Sequence, residues 1–129
     1  MRLFHATKIS NKDGIKRVGL KLNRVSSGYG KTPTHNAVYL YCIYNVDVAC
    51  DMIDLFGEIA VFEVVNINND KLIPDEDSGE KDWEASIEKM GTCAYLGEIP
   101  ARDLKYIGSF NSENEYISWA EMERLICKP

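Results

Sequence analysis

Runs of apolar and aromatic residues mark the strands along this chain. Five runs have the length and composition of strands, at residues 2–6, 37–43, 59–67, 92–96 and 104–110. The run IAVFEVVNI is the strongest of them, and AVYLYCI contains no polar break, which is typical of a buried strand. The pattern therefore predicts five strands.

Apolar residues at helical spacing predict four short helices between these strands. They lie at residues 11–22, from Asn45 or Asp47 to residue 56, at about 83–90 and at 112–127. Two glycines interrupt the first helix, and Gly57 is placed to end the second. In the last, Ser112 and Glu115 have the spacing of a capping box. Strands and helices do not alternate strictly, so we expect a single α+β domain over residues 1–129, with a C-terminal helix.

Charge is distributed unevenly. Residues 1–40 contain eight Lys or Arg against one acid, whereas the remaining residues contain seven against nineteen acids, and the net charge is −5. The basic third is either a surface for a phosphate-bearing ligand or a solvated face that pairs with the acidic remainder. Residues 68–88 contain eight acids and predict an exposed loop. Its part at residues 75–88 is either solvated or binds a basic partner by mimicking nucleic acid.

Several classes of protein are disfavoured by the sequence. No apolar stretch approaches the 18 residues of a membrane span, and MRLFHATKIS lacks the apolar core of a signal peptide. We therefore expect a cytoplasmic protein with reduced cysteines and no membrane association. The cysteines are too scattered for a zinc site, so no metal is predicted. Neither a glycine-rich phosphate loop nor a G-x-S-x-G elbow is present.

His5 is the most unusual polar residue in the predicted strands. It lies in an apolar run, where both nitrogens of an imidazole need hydrogen-bond partners. A histidine in such a place is either a structural residue or one that faces a cleft and binds a ligand hydroxyl. The sequence of the strand leaves both possibilities open.

The residues around His5 begin a series of motifs. The series resembles small ADP-ribosyltransferase-like domains, in the order and spacing of its members over about residues 2–110. Its members are Leu3-Phe4-His5-Ala6-Thr7, Gly14-Ile15 with Gly19-Leu20, Val38-Tyr39-Leu40-Tyr41, Lys71-Leu72-Ile73-Pro74-Asp75, and Tyr95-Leu96-Gly97-Glu98-Ile99-Pro100 continuing to Leu104 and Ile107.

The resemblance implies a split, mostly antiparallel sheet of ADP-ribosyltransferase type that holds NAD between its halves. In the His-Tyr-Glu class, the first-strand histidine binds the adenosine-side ribose, which implies an NAD-binding role for His5 with Ala6 and Thr7. A second-strand tyrosine stacks on nicotinamide, and either Tyr39 or Tyr41 matches it. Side chains two positions apart on a strand lie on the same face, so both tyrosines can face NAD. The alternatives are that only one of them does, or that both are core aromatics.

Such a protein transfers ADP-ribose from NAD to a protein or nucleic-acid acceptor and releases nicotinamide. Cleavage develops an oxocarbenium-like charge that a nearby carboxylate stabilises. The family's glutamate falls near Thr92 or Cys93 here, and neither is acidic. Glu98 and Glu115 are the alternatives, Glu115 lying in an N-E-Y-I sequence like that of poly-ADP-ribose polymerases. A chain without a catalytic glutamate is instead an inactive interaction or inhibitor protein, or a relative that processes RNA 2′-phosphates.

Overall fold

One antiparallel sheet organises the chain. The computed structural model describes residues 2–22, 37–42 and 52–111. The strands are β1 (Leu3–Lys8), β2 (Val38–Tyr41), β3 (Ile59–Val64), β4 (Leu72–Pro74), β5 (Thr92–Tyr95) and β6 (Leu104–Phe110). Their order across the sheet is β4-β5-β2-β1-β3-β6, and every neighbouring pair is antiparallel. The predicted α+β class with a mostly antiparallel sheet and few short helices is therefore confirmed.

Short helices cover the sheet. They are α1 (Lys12–Val18), α2 (Trp83–Met90) and a helical segment at residues 52–56, with single 3-10 turns at Ile9–Asn11, Asn69–Lys71, Glu76–Ser78 and Ala101–Asp103. Asp82 caps α2, because its carboxylate accepts a 2.7 Å hydrogen bond from the amide of Ala85. Gly57 follows the segment at 52–56 with a φ of +83°, as predicted.

The sheet buries apolar residues on both faces. Alternation along β1 sends Phe4 and Ala6 to one face and Leu3 to the other. The first face packs on residues 52–56 and holds Phe4, Ala6, Met52, Ile53, Ile59, Val61 and Phe110. The second packs on α2 and holds Leu3, Leu20, Val38, Leu40, Val64, Leu72, Ile87, Cys93, Tyr95 and Ile99. Both β1 and β3 have a neighbouring strand on each side, and half of the β1 side chains and all of the β3 side chains are buried.

Gly19 ends α1 and fixes the loop after β5. Its φ is +82°, and a Cβ at this position would clash with the carbonyl oxygen of Ile99. The next residue, Leu20, exchanges backbone hydrogen bonds of 2.8 and 2.9 Å with Ile99. The short, glycine-interrupted helix predicted for residues 11–22 is thus confirmed, and its end is held against the loop after β5.

The acidic stretch at residues 68–88 differs from its prediction as an exposed loop. Residues 72–74 form the edge strand β4, paired with β5. Asp75 is only 9% exposed, and its carboxylate is satisfied there by the hydroxyl of Thr92 and the amide of Asp77, which donate to it at 2.9 Å each. The predicted helix at 112–127 and the proposed caps Asn45 and Asp47 lie outside the described residues.

Candidate functional site

Between β1 and β2, the part of the sheet that the structure describes is open. Among the described residues these strands share one register pair, Phe4 with Tyr41, whereas β1 and β3 share six. A continued ladder would make Ala6 and Tyr39 the next hydrogen-bonded pair. Side chains bind their backbone groups instead. We call this opening, formed by Ala6, Tyr39 and the side chains of His5 and Tyr41, the β1–β2 seam.

Tyr41 satisfies the β1 side of the β1–β2 seam. Its hydroxyl donates a 2.6 Å hydrogen bond to the carbonyl of Ala6 and accepts a 2.9 Å hydrogen bond from the Ala6 amide. A phenol can do both at once. The Tyr41 ring is nearly parallel to the His5 imidazole, with an interplanar angle of 11° and centroids 6.4 Å apart.

His5 satisfies the β2 side. Its Nδ1 lies 2.9 Å from the carbonyl oxygen of Tyr39. A carbonyl only accepts, so Nδ1 carries the proton and Nε2 presents a lone pair. Burial lowers the pKa of His5, and the hydrogen bond to Tyr39 opposes that effect only in part. The imidazole is therefore neutral at pH 7, and no other described residue hydrogen-bonds to it.

Tyr39 points its hydroxyl away from the β1–β2 seam. That hydroxyl lies 2.6 and 2.8 Å from the two carboxylate oxygens of Glu76 and donates to them. Glu76 opens the 3-10 turn that follows β4. The two tyrosines of β2 thus have different hydrogen-bond partners. Tyr41 bonds to the backbone of β1, and Tyr39 bonds to the Glu76 carboxylate near β4.

The remaining residues proposed from the sequence lie in different surroundings. Thr7 accepts a 2.9 Å hydrogen bond from the side chain of Asn11. The Glu98 side chain is 51% exposed, with its carboxylate 3.8 Å from Lys21 and 3.4 Å from the amide of Leu22. Among the described residues, its polar contacts are thus with the segment after α1, and none is with the β1–β2 seam. Glu115 lies outside the described residues.

Glu76 is the carboxylate that the sequence did not single out. It follows the Leu72-Ile73-Pro74-Asp75 motif directly, so the motif marked the right segment. The contact with Tyr39 depends on β5 lying between β2 and β4, a strand order that residue patterns alone do not give.

Comparison with known proteins identifies no relative. No protein-family model, curated protein or solved structure matches this chain. The resemblance to ADP-ribosyltransferase-like domains therefore stays a prediction from the motifs. Within residues 2–22, 37–42 and 52–111, no three His, Cys, Asp or Glu side chains are grouped to hold a metal, and no helix is long and apolar enough to cross a bilayer.

Proposed function

We propose that the chain binds NAD at the β1–β2 seam and transfers ADP-ribose from it to a protein or nucleic-acid acceptor, releasing nicotinamide. On this proposal the sheet is the split sheet of ADP-ribosyltransferases, and the seam is its split. The observation that carries the proposal is the neutral His5, fixed by Tyr39 with an Nε2 acceptor that no described residue uses.

An Nε2 lone pair suits a ribose of NAD. Each ribose offers hydroxyl donors, and a neutral imidazole accepts from them without the cost of a buried charge. Because the bond to Tyr39 fixes the ring orientation, little side-chain freedom is lost when the ligand binds.

The Tyr41 ring beside His5 and the Tyr39 ring of the same strand suit the other end of NAD. Nicotinamide in NAD is a flat, positively charged ring, and such rings bind well on tyrosine faces. Tyr39 and Tyr41 are both half-buried, and Tyr41 lies almost parallel to His5. Bound between these groups, NAD would be held in one pose, which favours cleavage of its nicotinamide–ribose bond.

Calorimetry of NAD binding tests this proposal. We expect wild type to bind NAD and His5→Ala to lose at least about tenfold in affinity, or about 1.4 kcal/mol. Glu88→Ala, at an exposed position of α2, serves as the control and should bind like wild type. Labelled NAD then reports transfer, as label attached to protein or nucleic acid in a cell extract. A folded wild type that binds no NAD contradicts the proposal.

A second candidate is an interaction protein on the same fold without transfer activity. The observation in its favour is Glu98, whose carboxylate contacts Lys21 and Leu22 and not the β1–β2 seam. NAD binding without nicotinamide release would support this candidate over the enzyme.

A further inference from the structure

Tyr39 and Glu76 form a contact that crosses an intervening strand. Tyr39 is paired with Ala94 of β5, and Ala94 is paired with Ile73 of β4. These three residues make one cross-strand row, because directly paired residues share a face. Glu76 lies three residues beyond Ile73, so the phenol of Tyr39 extends past β5 to reach it. The small side chain of Ala94 leaves room for this crossing.

The backbone that carries Glu76 is fixed by its neighbours. The Asp75 amide donates a 3.0 Å hydrogen bond to the hydroxyl of Ser86 in α2, and the hydroxyl of Ser78 donates a 2.7 Å bond to the Asp75 carbonyl. Ser78 and Ser86 are at most 1% exposed. Thr92 and Asp77 hold the Asp75 carboxylate as described above. Glu76 is thus held on a rigid support, as a group that must meet a substrate requires.

We propose that Glu76 is the catalytic carboxylate of this reaction and meets an NAD molecule that extends from His5 in the β1–β2 seam along the ring of Tyr39, with Tyr39 as the positioning residue. This inference rests on the proposed function. The His5 imidazole and the Glu76 carboxylate hydrogen-bond to opposite ends of Tyr39. His5 bonds to the backbone carbonyl of Tyr39, and Glu76 bonds to its hydroxyl. A nicotinamide on the Tyr39 ring would place its ribose near Glu76.

The reaction balances with this assignment. The bond between the ribose C1′ and the nicotinamide nitrogen breaks, and its electron pair goes to that nitrogen, which becomes neutral. The ribose is left as an oxocarbenium ion, which the Glu76 carboxylate stabilises. An acceptor hydroxyl or water then forms the new bond to C1′, and its proton passes to Glu76 and on to solvent.

Nicotinamide release by purified protein, with and without total cellular RNA and protein as acceptors, tests the assignment. We expect Glu76→Gln to lower kcat roughly 100-fold or more while the Kd for NAD changes less than about threefold. Glutamine keeps the shape and can still accept from Tyr39, so the fold should survive, which thermal unfolding checks. Glu76→Asp should recover part of the activity. Glu80→Gln, the same substitution in the same loop, should equal wild type.

Tyr39→Phe separates the hydroxyl from the ring. We expect it to lower kcat by about tenfold with the affinity for NAD retained, because the ring remains and the bond that orients Glu76 is lost. A Glu98→Gln variant that loses activity while Glu76→Gln keeps it would overturn the assignment to Glu76.

The remaining outcomes separate this inference from the proposed function. If wild type binds no NAD, both fail. If wild type binds NAD and releases nicotinamide, and Glu76→Gln does so at the same rate, only the role of Glu76 fails. Binding of NAD without nicotinamide release overturns the catalytic assignment and leaves the binding site in place.

Discussion

The Nδ1 of His5 bonds to the carbonyl oxygen of Tyr39, a group that a continued ladder would pair with the amide of Ala6. A side chain thus takes the place of a backbone donor. Tyr41 does the same on the other strand by bonding to both backbone groups of Ala6. The opening of the sheet therefore leaves these ladder groups satisfied, which is the condition for a stable split in a buried region.

Acidification should destabilise the protein through His5. Burial holds the folded-state pKa below the ordinary value of 6.5, so the unfolded state binds the proton more readily. Stability that His5 contributes is complete above pH 6.5 and is lost as the pH falls from there toward the lower folded-state pKa. We expect the free energy of unfolding in urea to fall more for wild type than for His5→Gln between about pH 7.5 and about pH 5.5. Equal decreases would mean that His5 titrates normally.

The hydroxyl of Tyr41 should contribute measurably to stability. Tyr41→Phe leaves the amide and the carbonyl of Ala6 without this partner, at a cost of about 1–3 kcal/mol in the free energy of unfolding. Tyr106→Phe is the control, because its hydroxyl forms no hydrogen bond with the described residues, and we expect a change within about 0.5 kcal/mol. Similar decreases in the free energy of unfolding in both variants would show that the hydrogen bonds of the Tyr41 hydroxyl do not stabilise the fold.

Two glycines of one segment should respond oppositely to alanine. Gly19→Ala places a Cβ within 3 Å of backbone atoms of Ile99, Pro100 and Ala101 at a positive φ, and should cost about 2 kcal/mol or more. Gly14→Ala, inside α1 with nothing within 4 Å of the added atom, should stabilise by about 0.5–1 kcal/mol. Thermal and urea unfolding measure both. A neutral Gly19→Ala would mean that α1 and the loop after β5 are not locked together.

Cys93 should be unreactive in the folded protein. Burial, with a smaller contribution from the negative charge of Asp75, raises the pKa of its thiol to about 12. The thiolate that reacts with iodoacetamide is therefore scarce at about pH 8. Peptide mapping should find Cys93 unlabelled under native conditions and labelled in urea. Fast native labelling would contradict the buried position of this strand.

Local patterns predicted most of the fold correctly. The helix predicted at about 83–90 and the strand at 104–110 match α2 and β6, since apolar spacing and caps are local properties. The strand β4 was missed, because three residues between acidic turns carry too little pattern to predict a strand. It is held in the sheet by pairing with β5 and by the polar contacts of Asp75.

The sequence predicted individual residues of the candidate site but not the contacts between them. His5 was singled out because a polar ring in an apolar strand is unusual, and Tyr39 and Tyr41 were proposed with it. The different contacts of the two tyrosines could not be predicted, because Tyr41 bonds to Ala6 and Tyr39 to Glu76, and both partners are distant along the chain. The proposed catalytic role of Glu98 remains a prediction, as does that of Glu115.

The order of the strands also sets when the protein can fold. β1 lies in the middle of the sheet, and its long ladder is with β3, which ends at Val64. During synthesis, more than fifty further residues must therefore be added after β1 before β3, its main partner, is complete. Pairings so distant in sequence form slowly, so we expect a folding time in the range of milliseconds to seconds. Until β3 is made, β1 is an unpaired apolar strand, and the nascent chain is most prone to aggregation in that interval.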